Sequence, residues 1–249
     1  MWDKHGLMNA AANALYFIAV LLALAIAWAL AARLPVFELR EVRIGGEIAH
    51  VNRAQVEAVV RRELRGNFLT ADLTAVGAAF GKLPWVRQAQ VRRLWPAGLD
   101  VTLEEHVPLA RWADAALVNT HGEVFTAAHD GELPLFIGPD GASREITIQY
   151  RYFVRSLEAI GETPVQVRVS PRRAWQVKME SGLVLELGRE NLEARLTRFV
   201  AAYDRTVGRL GRRIDHVDLR YANGFAVRIP ELRHDKPETR RGRRAGAGA

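Results

Sequence analysis

The chain has 249 residues, 49% of them apolar, and no cysteine. That is enough apolar material for one large core or two small ones, and it excludes disulfides, thiolate catalysis and cysteine-based zinc sites. The formal charge of +7 suits contact with nucleic acid or with an anionic membrane surface and does not separate the two.

The first element is the most sharply defined. No charged residue occurs from Gly6 to Ala32, and Ala14–Ala32 is almost wholly apolar. A helix crosses a hydrocarbon core with roughly 20 such residues. Lys4 and Arg33 flank the run, and Trp2 and Trp28 lie near its ends, where aromatic rings favour the interface. A transmembrane helix is expected over residues 10–34, preceded by a short segment, residues 1–9. Ala25-Ile26-Ala27 and Ala29-Leu30-Ala31 keep a cleaved signal peptide open. The length of the run and Asp3 argue against it. Positive charges near the helix are balanced by Asp3, Glu38 and Glu41, so charge counting leaves the orientation open.

Phe37–Gly46 reads as a strand. Asn52 with Gln55 three residues on is a capping-box pattern, and Val56, Val59, Val60 and Leu64 follow at helical spacing. Leu73, Val76, Phe80 and Leu83 predict a second helix, with Asp72 in its first turn and Pro84 as its stop. Val86–Val91 and Leu99–Leu103 flank Trp95-Pro96-Ala97-Gly98 and read as a hairpin. The order β-α-α-β-β makes a self-sufficient small domain, expected over residues 36–112.

A second α+β domain with a mainly antiparallel, sequential sheet is expected over residues 113–230. Its strands are Leu117–Phe125 with a turn at His121-Gly122, Leu133–Gly138, Pro164–Val169, Ala174–Met179 and Gly182–Gly188. Ile146, Tyr150, Phe153, Val154, Leu157 and Ile160 mark one helix. Leu192, Leu196, Phe199, Val200, Tyr203 and Val207 mark another, with Asn191 as its cap. The last hairpin is Val217–Pro230. A three-residue loop, Ala222-Asn223-Gly224, matches the faces by setting Tyr221 against Phe225, Leu219 against Val227 and Val217 against Ile229. Residues 231–249 lack apolar periodicity. Six Lys/Arg against three Asp/Glu leave +3 there, which predicts a disordered basic tail, either merely solvated or touching anionic lipid or nucleic acid.

No catalytic pattern emerges. The seven histidines include no His-Glu-x-x-His helix, and there is no phosphate loop and no G-x-S-x-G elbow. Glu104 and Glu105 point to opposite faces of a strand, with Glu104 expected at a solvated edge. His216 and Asp218 share a face, beside Asp215. Nothing else converges on that trio, so no metal, cofactor or catalytic residue is assigned.

Taken together, these pieces resemble a known family. Pro84-Trp85-Val86, Trp95-Pro96, Leu99-Asp100-Val101 and Glu105-His106-Val107-Pro108-Leu109-Ala110 follow the order of a POTRA domain of the FtsQ/DivIB type. Asn119-Thr120-His121-Gly122-Glu123-Val124-Phe125 resembles the D-x-x-G-x-V-F stretch opening the family's second domain, with asparagine for aspartate. Arg172-Arg173-Ala174-Trp175 and Val217-Asp218-Leu219-Arg220-Tyr221 also match the proteobacterial pattern. The resemblance spans roughly residues 10–230.

The resemblance implies a single-pass inner-membrane protein with residues 1–9 in the cytoplasm and its C-terminal domains in the periplasm, enriched at the division septum. It implies a non-enzymatic divisome scaffold that binds the FtsB–FtsL pair through the edge of its last strand. Other division proteins such as FtsK, FtsW and FtsI are expected partners, together with the bilayer; nucleic acid is not. Carried over by motif, the partner contacts are Arg172, Arg173, Arg220, Tyr221, Asn223, Gly224, Phe225, Val227 and Ile229, with Tyr221 as an aromatic anchor and Arg220 facing a partner carboxylate. Relatives carry tryptophan where this chain has Ile229, which puts that side-chain contact in doubt. The competing readings are a POTRA-type periplasmic chaperone or secretion component, which would carry tandem repeats or a barrel, and a cell-wall hydrolase, which would need a catalytic constellation.

Overall fold

The computed structural model describes residues 5–31, 38–212 and 214–230. The predicted tail at 231–249 and the first residues of the chain lie outside them. Helix α1, His5–Ala31, contains a 23-residue apolar span, Met8–Leu30. At 1.5 Å per residue that span is about 35 Å long, enough to cross a hydrocarbon core of about 30 Å. Its described side chains are exposed, as a lipid-facing helix requires.

The first compact unit continues with β1 (Glu41–Gly45), α2 (Arg53–Glu63), α3 (Leu73–Phe80), β2 (Val86–Leu94) and β3 (Gly98–Glu105). The strand order is β1-β3-β2, with β1 parallel and β2 antiparallel to β3. The expected β-α-α-β-β module is therefore present. Asn52 makes the capping box with Gln55 in both directions. Asp72 sits at the cap itself, where its carboxylate accepts from Thr74 and Ala75 N–H, and α3 ends at Phe80, short of Leu83. Val56, Val59, Val76, Phe80, Val86, Val101 and Leu103 form the core. Arg93, in register with Leu99, donates to the carbonyls of Phe68, Leu69 and Ala71 and ties down the loop between the helices.

The second unit begins at Pro108, five residues before the boundary read from the sequence. Pro108–Trp112 is strand β4, paired with β5 (Ala116–Asn119) and β7 (Leu135–Ile137). Its alternation is as compatible with either sheet, so only the pairing assigns it. The remaining elements are β6 (Val124–Phe125), α4 (Ser143–Glu158), β8 (Pro164–Val169), β9 (Trp175–Met179), β10 (Val184–Gly188), α5 (Leu192–Tyr203), a 3-10 turn (Val207–Leu210), β11 (His216–Asp218) and β12 (Ala226–Arg228).

They form a nine-stranded sheet in the order β12-β11-β10-β9-β8-β7-β4-β5-β6. Hairpins make the sheet mainly antiparallel, as expected, but it is mixed. β7–α4–β8 and β10–α5–β11 are crossovers that bring their strands back parallel, and β4 also runs parallel to β7. Both helices pack on one face, where Phe153, Leu157, Leu196 and Phe199 meet the sheet. Asn191 lies in the left-handed region (φ 55°) and makes no side-chain cap, contrary to the sequence reading; asparagine tolerates that conformation. Helix α5 stops at Tyr203, and Val207 belongs to the 3-10 turn.

Candidate functional site

One apolar row runs across the second sheet. Cross-strand partners link Trp112, Phe136, Val167, Val177, Leu185, Val217 and Val227 in that order. The five interior members are at most 1% exposed. Val227, the last, is only partly buried, because β12 ends the sheet and pairs with β11 alone among the described residues. A strand has two rows of backbone donors and acceptors, and the row of β12 facing away from β11 meets no strand among the described residues. Such an edge is a template for an added strand.

The hairpin register differs from the expectation. Val217 faces Val227, and His216 and Asp218 face Arg228 and Ala226, a shift of two residues that keeps the faces matched. The loop is wider for three reasons. Leu219 is buried and extends the pairing to β10, its N–H donating to the Glu186 carbonyl at 2.9 Å. Phe225 packs edge-to-face on Phe199, 5.5 Å away. Between them the backbone bends around α5, where Arg198 donates to the carbonyls of Tyr221 (3.1 Å) and Ala222 (2.5 Å).

The predicted contact residues occupy different environments. Tyr221 is 58% exposed and Asn223 is exposed beside it. Gly224 has open space where a side chain would begin. Phe225 and Val227 turn inward onto the core, which leaves their backbone rather than their side chains at the edge. Ile229 is half-buried just beyond β12. Arg172 and Arg173 lie in the β8–β9 turn, which sits at the same end of the sheet as Tyr221. Strands β10 and β11 stand between β9 and β12, a separation of about 14 Å at 4.8 Å per strand. Arg173, itself left-handed (φ 62°), is ion-paired with Glu145, while Arg172 is exposed.

Arg220, expected to face a partner carboxylate, is ion-paired within its own segment. Its guanidinium grips the Asp218 carboxylate, Nη2 to Oδ2 at 2.6 Å, and that hydrogen bond holds the Asp218 carboxyl below the usual range. Arg228 does the same to Asp215, with Nε 3.0 Å from Oδ1. The Asp215–His216–Asp218 trio is thus taken up by two arginines. No group of three or more His, Asp or Glu side chains placed to hold a metal occurs among the described residues. A cleft of about 830 Å³ opens at the opposite end of the sheet, lined by Arg111, Asp114, Asp130, Glu132, Tyr150 and Glu180 among others.

Two polar centres went unread in the sequence. In the first unit Glu105, 9% exposed, accepts from the N–H groups of Ala49, His50 and Val51 and faces His50 Nδ1 at 3.0 Å. The His50 ring stacks on Trp85 at 3.7 Å. Glu104, its neighbour, is solvated as expected and pairs with Arg87, but it lies on the central strand of its sheet and not at an edge. In the second unit the fully buried Asn119 accepts from His121 and Glu123 N–H and donates to the Glu123 carboxylate at 2.6 Å. The signal for both was the motif itself, a polar residue ending an apolar strand.

The sequence is similar to known proteins throughout. A family model described as "Cell division protein FtsQ/DivIB, C-terminal" matches residues 110–220, and one described as "POTRA domain, FtsQ-type" matches residues 37–106. The chain is 49% identical to the "Cell division protein FtsQ" of Nitrosospira multiformis over 235 residues, covering 92% of this chain and 99% of that one. It is 44% identical to the protein of the same name from Burkholderia pseudomallei, over 94% and 96% of the two chains. For Bordetella pertussis the identity is 35%, over 93% and 94%. With an apolar N-terminal helix fit for a single-pass membrane anchor, a POTRA domain and a second mixed-sheet domain in the family's order, this chain belongs to the FtsQ/DivIB family of cell division proteins.

Proposed function

We propose that the protein is a non-enzymatic scaffold of the divisome, anchored in the inner membrane by α1 with both compact units in the periplasm. In this reading β12 takes a strand from the FtsB–FtsL pair, linking early to late division proteins, with FtsK, FtsW and FtsI as further contacts at the septum. The observation that carries the reading is the unmatched outer row of β12, with the apolar row of the sheet cut short at Val227. Tyr221 is the aromatic anchor, since it is the large apolar side chain left exposed beside that edge. Asp218 already pairs with Arg220, so a partner carboxylate would share the guanidinium with it. The test is capture of the FtsB–FtsL pair by wild type and by Tyr221→Ala or Tyr221→Glu. Capture is expected to be lost in both variants while thermal unfolding is unchanged. Capture by a folded variant equal to wild type would overturn the reading.

A further inference from the structure

We infer that Arg198, which belongs to α5 and not to the edge, is a positioning residue that holds the Tyr221 loop in its binding shape. The inference rests on the reading of β12 as the partner-binding edge. Seven residues, Leu219–Phe225, separate the two paired strands. Their ends are fixed by packing: Leu219 is buried, and Phe225 lies on Phe199, itself fully buried on α5. The five residues between have little of their own to hold them. Tyr221, Ala222 and Asn223 are exposed, and nothing approaches the position a Gly224 side chain would take. The Arg220 side chain folds back on Asp218.

Arg198 supplies the missing constraint. Its two terminal nitrogens donate to successive carbonyls, Nη2 to Tyr221 and Nη1 to Ala222. Two carbonyls on either side of one residue, both aimed at one planar group, determine the backbone angles between them. The residue between them is Ala222, and the held Tyr221 carbonyl also fixes the peptide plane next to the Tyr221 Cα, which limits the directions in which the Tyr221 side chain can leave the chain. The planar fork of arginine matches this task, whereas a lysine ammonium is a single point and can bridge the pair only by giving up geometry. The fork is itself well seated. Phe199 is the next residue, and Thr197, the one before, has its hydroxyl 3.0 Å from that of Tyr152 on α4. Helix α5 therefore presents Arg198 from a rigid base. A loop ordered before binding spares the partner the cost of ordering it.

The experiment uses the full chain in lipid nanodiscs, as wild type, Arg198→Lys, Arg198→Ala and Tyr221→Ala, with binding kinetics of the FtsB–FtsL pair and amide exchange read by segment. Arg198 is exposed, so its variants are expected to keep the wild-type unfolding temperature. Arg198→Ala is expected to bind about tenfold more weakly, mostly through a slower association rate, because only a fraction of loops is then competent at any moment. Amide exchange is expected to quicken in residues 220–225 and nowhere in the neighbouring strands. Arg198→Lys is expected to fall on the side of the alanine variant. If Arg198→Lys restores full affinity, charge and not the fork is what matters, and the inference fails. If Arg198→Ala binds as wild type while Tyr221→Ala does not, the inference fails and the reading of the edge stands. If Tyr221→Ala also binds as wild type, both fall together.

Discussion

Replacing Glu105 with alanine tests how the first unit is held at the end of its last strand. The carboxylate is the acceptor for three consecutive backbone N–H groups, those of Ala49, His50 and Val51, in the segment that leads from β1 into the cap of α2. Alanine leaves all three without that acceptor. Each is partly buried, so water recovers some of the loss, and about 1 kcal/mol per group is a fair cost. The expected penalty is about 3 kcal/mol, a large share of the roughly 5–15 kcal/mol that holds an ordinary domain. The site also makes a pH prediction. Burial pushes the Glu105 carboxyl up, but hydrogen bonds from Val51 N–H, the His50 ring and the N–H groups of His50 and Ala49 outweigh it, and the carboxyl lies below its ordinary value. A folded value below the unfolded one means that the stabilisation is complete above about pH 4.3. It is lost as pH falls through the folded value, since the unfolded chain then binds the proton more readily. Amide exchange of β2 and β3, measured on residues 38–230 between pH 7 and pH 3, reads the opening free energy of this unit separately from the other. A loss below 1 kcal/mol in Glu105→Ala at pH 7, or a Glu105→Gln variant with the same acid dependence as wild type, would refute the reasoning.

Arg93→Ala removes the donor shared by the carbonyls of Phe68, Leu69 and Ala71. It is expected to cost about 1 kcal/mol and to speed amide exchange at residues 66–71, with Arg93→Lys intermediate. Asn119→Asp sets a second carboxylate where the buried Asn119 amide donates to the exposed Glu123 carboxylate at 2.6 Å. The second unit is expected to lose about 1–3 kcal/mol at pH 7 and to regain part of it at pH 5, where one proton shared by the two carboxylates replaces the lost donor. Denaturant unfolding at the two pH values measures both.

Much of the fold was legible because its signals are local. The capping pair Asn52 and Gln55, the Trp95–Gly98 turn and the alternation of Leu99, Val101 and Leu103 each need only neighbouring residues, and each appears in the structure. The helix beginning at Leu192 is present, but the cap expected at Asn191 failed for an equally local reason: cap chemistry is a matter of backbone angle, and a positive φ is not written in the residue type. The site was half legible. Motif drew attention to Tyr221 and Arg220, which lie in the loop leading into β12, but the two-residue slip of the hairpin depends on Phe199, Glu186 and Arg198. None of these lies in the hairpin, so face matching within it allowed either register. The inward turn of Phe225 and Val227 follows from the same contacts.

What the sequence determined by itself is the kind of molecule: an apolar helix long enough for a bilayer, a small β-α-α-β-β unit, and a second unit whose strands alternate with two amphipathic helices. Hydrophobic period and run length decide these things, and both are properties of the chain read in order. What only the tertiary structure decided is which strands are neighbours. The parallel returns after α4 and α5, the transfer of Pro108–Trp112 to the second sheet and the position of β12 at its margin arise from pairings between residues far apart in sequence. The edge exists because of where the sheet stops, and backbone hydrogen bonding, being the same for every residue, leaves no mark of that in the amino acids.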